Sequence, residues 1–416
     1  MTQRRVVVTG LGVCAPNGTG VDAYWSALVA GRSGVRPIGA FDASALRSRI
    51  AGEVVDFDAA TRLPAKTAKR TARFAQLALG AALEAVESAG LAGDEAADIR
   101  DGSAIIVGSG IGAFDFFERE HIPFLEKGPG KFHPLTVPLV IPNAAAGIIA
   151  MEIGSHGPNF CVTSACASGA NSIGTALDLL RSGRADVAFA GAAESTISPF
   201  AIDGYCQLRA LSTRNDDPAG ASRPFSRDRD GFVIAEGAGI LVLEELEHAR
   251  HRGAAVLAEL AGYGSSCDAN HLTAPHPEGR GAIMAMNAAL STAGLAPADV
   301  DYVNAHGTST PINDPIETKA IKAVFGDHAR KLKVSSTKSM HGHLLGGAGG
   351  IEAVVTVMAI RDQFFPPTRN LENPDPACDL DYVPNTGVPG RIRTAISNAL
   401  GFGGHNAVVL FREFRE

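Results

Sequence analysis

FCVTSACASGANSIG (residues 160–174) passes from an apolar, strand-like start into small residues with one thiol, Cys166, set between Ala165 and Ala167. Beyond it, Ile173, Ala176, Leu177 and Leu180 recur on one helical face, and Gly183 supplies a stop. Cys166 therefore belongs at or just before the first turn of a buried helix. Unpaired N–H groups and the positive end of the helix dipole favour an anion there by about 0.3–2 kcal/mol, which predicts a lowered thiol pKa. A sharp strand-to-helix turn with small neighbours also opens the sulfur to a substrate, in the manner of a nucleophile elbow. Taken alone, the position is equally that of a buried structural cysteine. For Cys14, Cys161, Cys206, Cys267 and Cys378 the structural reading is preferred.

Around this stretch, strand-like and helix-like segments alternate, which predicts an α/β protein with parallel sheets covered by helices. The two halves also echo each other in order. VVVTGLGV (6–13) answers to AVLAELAGYG (255–264), and GSAIIVGSG (102–110) to DVDYVNAHGTS (299–309). FCVTSACASG (160–169) answers to LKVSSTKSMHGH (332–343), and GAGILVLEE (237–245) to GHNAVVLFRE (404–413). A duplicated domain follows, with halves 1–253 and 254–416 and insertions in the first half near residues 112–160 and 196–236. Ligands of open parallel sheets bind beyond the strand C-termini, so the echoed strand ends are where chemistry is expected.

The chain has 416 residues, 47 of them glycine, with 45% hydrophobic and 19% charged residues. That suits a large core or two fused domains. A formal net charge of -7 argues against sequence-independent nucleic-acid binding. No secretory signal is expected at the N-terminus, since the two early arginines are not followed by an apolar stretch of about 7–15 residues ending in a cleavage site. The longest uncharged run, residues 132–151, contains three prolines and reads as loop and helix at a subunit contact, with no membrane span. Six cysteines without CxxC spacing indicate neither zinc nor disulfides and suit the cytoplasm.

Two further strand ends carry imidazoles. VNAHGTSTP (303–311) places His306 after an apolar strand, and KSMHGHLLGGAGG (338–350) places His341 and His343 in a Gly-rich turn before a helix. A thiol with imidazoles is nucleophile and base, or nucleophile and oxyanion donors. Metal binding by His341 and His343 lacks a third ligand. GFGGHNA (401–407) offers a backbone N–H donor with Phe402 over the site, and His405 reads as structural.

SACASG (164–169), NAHGTSTP (304–311), KSMHGHLLGGAGGIEA (338–353) and GFGGHN (401–406), in that order, resemble the β-ketoacyl-acyl carrier protein synthases of the thiolase fold. RPFSRDRDGFVIAEGAG (223–239) and ALSTRND (210–216) add to the resemblance, which spans residues 6–411 and is nearest to the fatty-acid elongating synthase II. It implies a thiolase-like, duplicated α-β-α-β-α layered fold with mixed parallel sheets. It implies that Cys166 takes an acyl group as a thioester and that His306 and His343 hold the malonyl thioester oxygen. Backbone N–H groups of Cys166 and Phe402 would form a second oxyanion hole, with Gly401 and Gly403 beside it on the substrate side. Lys338 and Glu352 would form a buried ion pair ordering the KSMHGH turn. Thr308, Thr310 and Thr273 would bind a phosphopantetheine arm that arrives on acyl carrier protein, so no resident cofactor is required. Ile111 would floor the acyl pocket. Asn304, Glu317, Glu352, Ser397 and Asn398 would surround a structural cation or else form an ordinary polar network. His341 departs from the common residue at its place and is expected to point to solvent, and Ala274 removes a hydroxyl. A homodimer is implied.

Acyl carrier protein is acidic, so Lys66, Lys69, Arg70 and Arg73 in PAKTAKRTARF (64–74) are expected to dock it. Three rivals stand beside this reading. Gly10-Leu11-Gly12-Val13-Cys14-Ala15 fits the dinucleotide fingerprint of an NAD(P)-dependent oxidoreductase, but Pro16, Asn17, Gly18 and Gly20 prolong the loop and leave no helix N-terminus for a pyrophosphate. A degradative thiolase would need a second cysteine where GFGGHN has none. A type II polyketide ketosynthase shares the chemistry outright and stays open.

Overall fold

The computed structural model describes residues 4–416; residues 1–3 of the first half lie outside them. Five strands of the first half, β1 (Val6–Ala15), β2 (Ala104–Gly108), β3 (Asn159–Phe160), β4 (Val187–Glu194) and β5 (Gly237–Glu245), stand side by side in the order β3-β2-β4-β5-β1. The second half repeats this with β6 (Ala258–Cys267), β7 (Tyr302–Asn304), β8 (Lys333–Ser335), β9 (Thr394–Gly401) and β10 (His405–Arg412), in the order β8-β7-β9-β10-β6. Directions match too. The three strands nearest each outer edge run parallel, and the inner pairs are antiparallel. The halves join where Val7 and Val8 pair with Glu259 and Ala258. The sheets are thus mixed, as the thiolase-like reading implies, where alternation alone suggested parallel ones.

Two helices lie between the sheet halves: α2 (Ser168–Arg181) and α5 (Ala348–Asp362). Every residue of α5 from Ala348 to Ile360 is buried, so it has no polar stripe, as befits a helix enclosed by protein on all sides. The two helices touch through glycine: a Cβ on Gly169 would stand 2.6 Å from the Gly350 nitrogen. This contact brings the N-terminal turn of α2, which follows Cys166, against the helix that follows His343.

The outer faces repeat one device. Gly10 and Gly12 of β1 lie under α1 (Arg73–Ser88), where Cβ atoms would strike the carbonyl oxygens of Ala85 and Ala81. Gly262 and Gly264 of β6 lie under α3 (Arg280–Ala293), facing the carbonyls of Ala289 and Ala285. The Gly-x-Gly pair is therefore a close strand-to-helix contact used twice. It sits inside a ten-residue strand and not in a turn, which removes the dinucleotide reading on firmer ground than the prolonged loop did. No helix among the described residues is long and apolar enough to cross a membrane.

Candidate active site

Four strand ends converge on one cavity of about 470 Å³ whose wall includes Cys166, His306, His343 and Phe402. Cys166 follows β3 and His343 follows β8, so thiol and imidazole occupy the same topological place in the two halves. Ala165 holds a positive φ of 49°, a left-handed turn that is uncommon for a residue with a Cβ and delivers Cys166 just ahead of α2. Ser168 locks this elbow: its hydroxyl donates to the Ala165 carbonyl at 2.6 Å and accepts from the Ser164 N–H at 2.9 Å.

His343 Nε2 lies 3.2 Å from Cys166 Sγ. The backbone of His343 is strapped to the 233–235 segment, its N–H donating to the Val233 carbonyl and its carbonyl accepting from the Ala235 N–H. His306 is held by Glu317, a buried carboxylate on α4 (Asn313–Phe325) that accepts from the N–H groups of His306 at 2.7 Å and Gly307 at 2.8 Å. The two rings meet edge to face with centroids 5.2 Å apart, and Phe232 packs on the edge of His343 at the same distance. Burial, then the positive charge of Lys338, pushes both imidazoles well below their ordinary pKa. Both are neutral at pH 7. Among the described residues the Nδ1 atoms of both lack a hydrogen-bond partner, so no contact at Nδ1 fixes either tautomer.

The thiol departs from expectation. Burial pushes Cys166 up to about 12, against the lowering effects of the Lys338 charge and the backbone N–H groups of Phe402 and Cys166 directed at the sulfur. Desolvation outweighs the helix terminus, because Cys166 is buried, only 7% exposed, and not at an open helix end. Lys338 forms its ion pair with Glu352, both fully buried, and desolvation still raises Glu352 to about 7. His341 does not reach solvent. It is wholly buried, with Nδ1 on the Gly342 carbonyl at 2.7 Å and Nε2 on the Thr337 hydroxyl at 3.0 Å.

Thr308, Thr310, Thr273, Ile111 and Gly401 share the cavity wall. The hydroxyls of Thr308 and Thr310 stand 3.1 Å apart. Ile111 is on that wall but 36% exposed, so it forms an open side and not a sealed floor in the single chain. Gly403 is not on the wall. Its N–H is spent on the Leu272 carbonyl at 2.7 Å, tying the glycine loop to the 268–275 segment.

Asn304, Glu317, Glu352, Ser397 and Asn398 are buried together around the ends of β7 and β9, where Asn304 and Ser397 are paired neighbours. Asn398 donates to Glu317 at 3.1 Å, but Asn304 Oδ1, Asn398 Oδ1 and Glu352 Oε2 find no donor among the described residues. Buried acceptors without donors suit a small oxygen-liganded cation. No cluster of three His, Cys, Asp or Glu side chains suited to a metal occurs among the described residues.

Lys66, Lys69 and Arg70 are exposed, with no ion pair to any described residue. Arg73 is not part of that surface. Its guanidinium pairs with Glu236 at 2.9 Å and donates to the carbonyls of Val54 and Phe57, so its charge is consumed inside the fold. Sequence reasoning missed Phe232, whose motif was quoted without a role, and the exposed Arg209 at the cavity; Glu317, expected only as a cation ligand, also holds the His306 backbone.

Two family profiles match the chain: the N-terminal domain of beta-ketoacyl synthase over residues 3–249 and its C-terminal domain over residues 257–372. The chain is 50% identical over 415 residues to the 3-oxoacyl-[acyl-carrier-protein] synthase 2 of Synechocystis, covering 100% of this chain and 99% of the relative. It is also 50% identical over 415 residues to that of Coxiella burnetii, covering 100% of both chains. Among solved structures, a type II polyketide acyl-carrier protein in complex with its ketosynthase matches at TM-score 0.91 and 36% identity, covering 100% of both chains. A beta-ketoacyl synthase from Burkholderia phymatum matches at TM-score 0.92 and 36% identity, covering 99% of this chain and 100% of that one.

Proposed function

The chain belongs to the beta-ketoacyl synthase family, and from that premise we propose that it is an acyltransferase of fatty-acid elongation, a 3-oxoacyl-[acyl-carrier-protein] synthase 2. The observation that carries this is the convergence of Cys166, His306, His343 and the Phe402 N–H on one cavity.

In the first half-reaction Cys166 Sγ attacks the acyl thioester of acyl carrier protein. The carbonyl oxygen gains negative charge between the N–H groups of Cys166 and Phe402. The carbon–sulfur bond to phosphopantetheine breaks, and the thiol proton passes by way of neutral His343 to the departing thiolate. Malonyl carrier protein then loses its carboxylate as CO2. The freed electron pair makes an enolate whose oxygen accepts hydrogen bonds from His306 and His343, and its carbon bonds to the acyl-cysteine carbonyl. Collapse of that intermediate breaks the bond to Cys166, which takes up a proton. Neutral imidazoles suit this role, because they donate without neutralising the enolate beforehand.

Lys338 and Glu352 hold the turn that carries His343. Thr308, Thr310 and Thr273 bind the phosphopantetheine arm, the only prosthetic group involved, and it comes with the carrier protein. Asn304, Glu317, Glu352, Ser397 and Asn398 would hold a small structural cation that balances the carboxylates. Lys66, Lys69 and Arg70 receive the acidic carrier protein. We place the domain division at 253/254, a reading supported by the matched profiles, which end at residue 249 and begin again at residue 257. A homodimer fits the exposed Phe117, Ile122, Phe124, Leu125 and Met151 on the 112–160 insertion, together with the short, exposed edge strand β3. A cytoplasmic setting fits six unpaired cysteines. Fatty-acid elongation is preferred to polyketide assembly because the curated synthases stand at 50% identity and the solved polyketide ketosynthase at 36%.

The deciding assay supplies acyl carrier protein thioesters of increasing chain length with malonyl carrier protein. Condensation with release of CO2 is expected; absence of acyl-enzyme on Cys166 with every chain would overturn the reading.

A further inference from the structure

One carboxylate beside the cavity has no part in the chemistry above. Glu194 is the last residue of β4, the strand that corresponds in position to β9, whose end carries Gly401 and Phe402. Its side chain is fully buried, burial pushes its pKa up to about 7, and no basic side chain among the described residues pairs with it. Its partners are all neutral donors from two separate loops. In the first half it accepts from the Ser109 hydroxyl at 3.0 Å, the Gly110 N–H at 2.7 Å and, weakly, the Ile111 N–H at 3.4 Å. From the second half it accepts from the Gly346 N–H at 3.0 Å. The first loop carries Ile111 and the second carries His343 and Leu345, all on the cavity wall.

The contact has no slack. A Cβ on Gly346 would collide with the Gly110 nitrogen and come within 2.7 Å of Glu194 Oε2, so the two backbones meet directly under the carboxylate. A buried carboxylate is costly unless its lone pairs are filled, and here they are filled only while both loops hold their places. Ser109 extends the clamp, since its oxygen also accepts from the Gly112 N–H at 3.0 Å on the far side of Ile111.

We propose that Glu194 is a positioning residue for acyl-chain selection, clamping the Ile111 loop of one half to the His343–Leu345 turn of the other and so holding the Ile111 side of the cavity in place against the acyl chain. The inference rests on the proposed acyl transfer to Cys166. With the clamp intact, Ile111 can yield only by side-chain rotation. With the clamp loosened, its backbone yields as well and the pocket lengthens.

The test measures acylation of Cys166 by hexanoyl- and dodecanoyl-acyl carrier protein, read by intact-protein mass, in the wild type and in Glu194→Gln. Glutamine keeps the shape but turns an NH₂ donor toward backbone N–H donors. The ratio of dodecanoyl to hexanoyl kcat/KM is expected to rise by about fivefold or more. An unchanged ratio with both rates lowered, the mark of a merely structural role, overturns the proposal, as does a shift toward hexanoyl. Ser109→Ala, which removes one donor and leaves the carboxyl group in place, is expected to move the ratio in the same direction by a smaller factor and keeps the question open to refutation should Glu194→Gln not fold. Failure of the wild type to acylate with either probe would instead sink the acyl-transfer reading itself.

Discussion

The ring of His306 meets the ring of His343 edge to face at 86°, although the two come from different strand ends and only His343 hydrogen-bonds the sulfur of Cys166. That asymmetry separates the half-reactions. His306→Ala is expected to keep acylation of Cys166 within a few-fold while decarboxylation of malonyl carrier protein falls by about a hundredfold or more, the effect of losing one oxyanion donor. Release of labelled CO2 checks it. Unimpaired decarboxylation would contradict the role.

Cys166 itself should react as a buried thiol. With its pKa pushed up to about 12, the thiolate fraction rises about tenfold for each pH unit across neutral to mildly alkaline pH. Alkylation by iodoacetamide, followed at Cys166 by peptide mass, should climb through pH 7–9 without levelling. A plateau near neutrality would restore the low-pKa reading of the helix terminus. Cys166→Ser should abolish the acyl-enzyme altogether.

What was legible in the sequence was contiguous. Cys166, His306, His343 and Phe402 each lie in a short motif whose strand, turn and helix signals are adjacent, and the four echoes share an order that the strand topology repeats. What escaped depends on partners far along the chain. Arg73 looks like a free cation until Glu236, 163 residues away, claims it. Glu194 reads as the end of a strand until Gly346, 152 residues away, donates to it. His341 looked exposed because polarity argues for solvent, but Thr337 and Gly342 satisfy its ring inside the core. The thiol was misjudged for a related reason: a dipole is visible in sequence, whereas the depth of burial is not.

The basic surface can be divided by the same distinction. Lys66→Glu with Lys69→Glu should raise KM for acyl carrier protein several-fold, more at low salt than at high, with Tm unchanged. Arg73→Ala should behave oppositely, lowering stability by about 3 kcal/mol because it leaves Glu236 buried and unpaired. Thermal melts and salt-dependent kinetics on the two variants distinguish the cases. A salt-dependent KM effect in Arg73→Ala with an unchanged melt would return Arg73 to the docking surface.

Glu244 predicts the acid limit of the fold. Fully buried on β5, it is surrounded by Arg252, His248 and Thr9, and their hydrogen bonds outweigh desolvation and lower it to about 2 from an ordinary value of 4.5. A depressed carboxylate stabilises the native state above its unfolded pKa, and that stability is lost as pH falls through the folded value. The unfolding free energy of the wild type relative to Glu244→Gln should therefore be constant above about pH 5 and shrink steadily between pH 4.5 and 2. Raised carboxylates such as Glu352, up to about 7, act in the opposite sense between pH 4.5 and 7, but they are common to both proteins and cancel in the difference. Urea titrations at fixed pH values measure that difference. One that stays flat from pH 5 down to pH 2 would show that Glu244 is not held ionised by its partners.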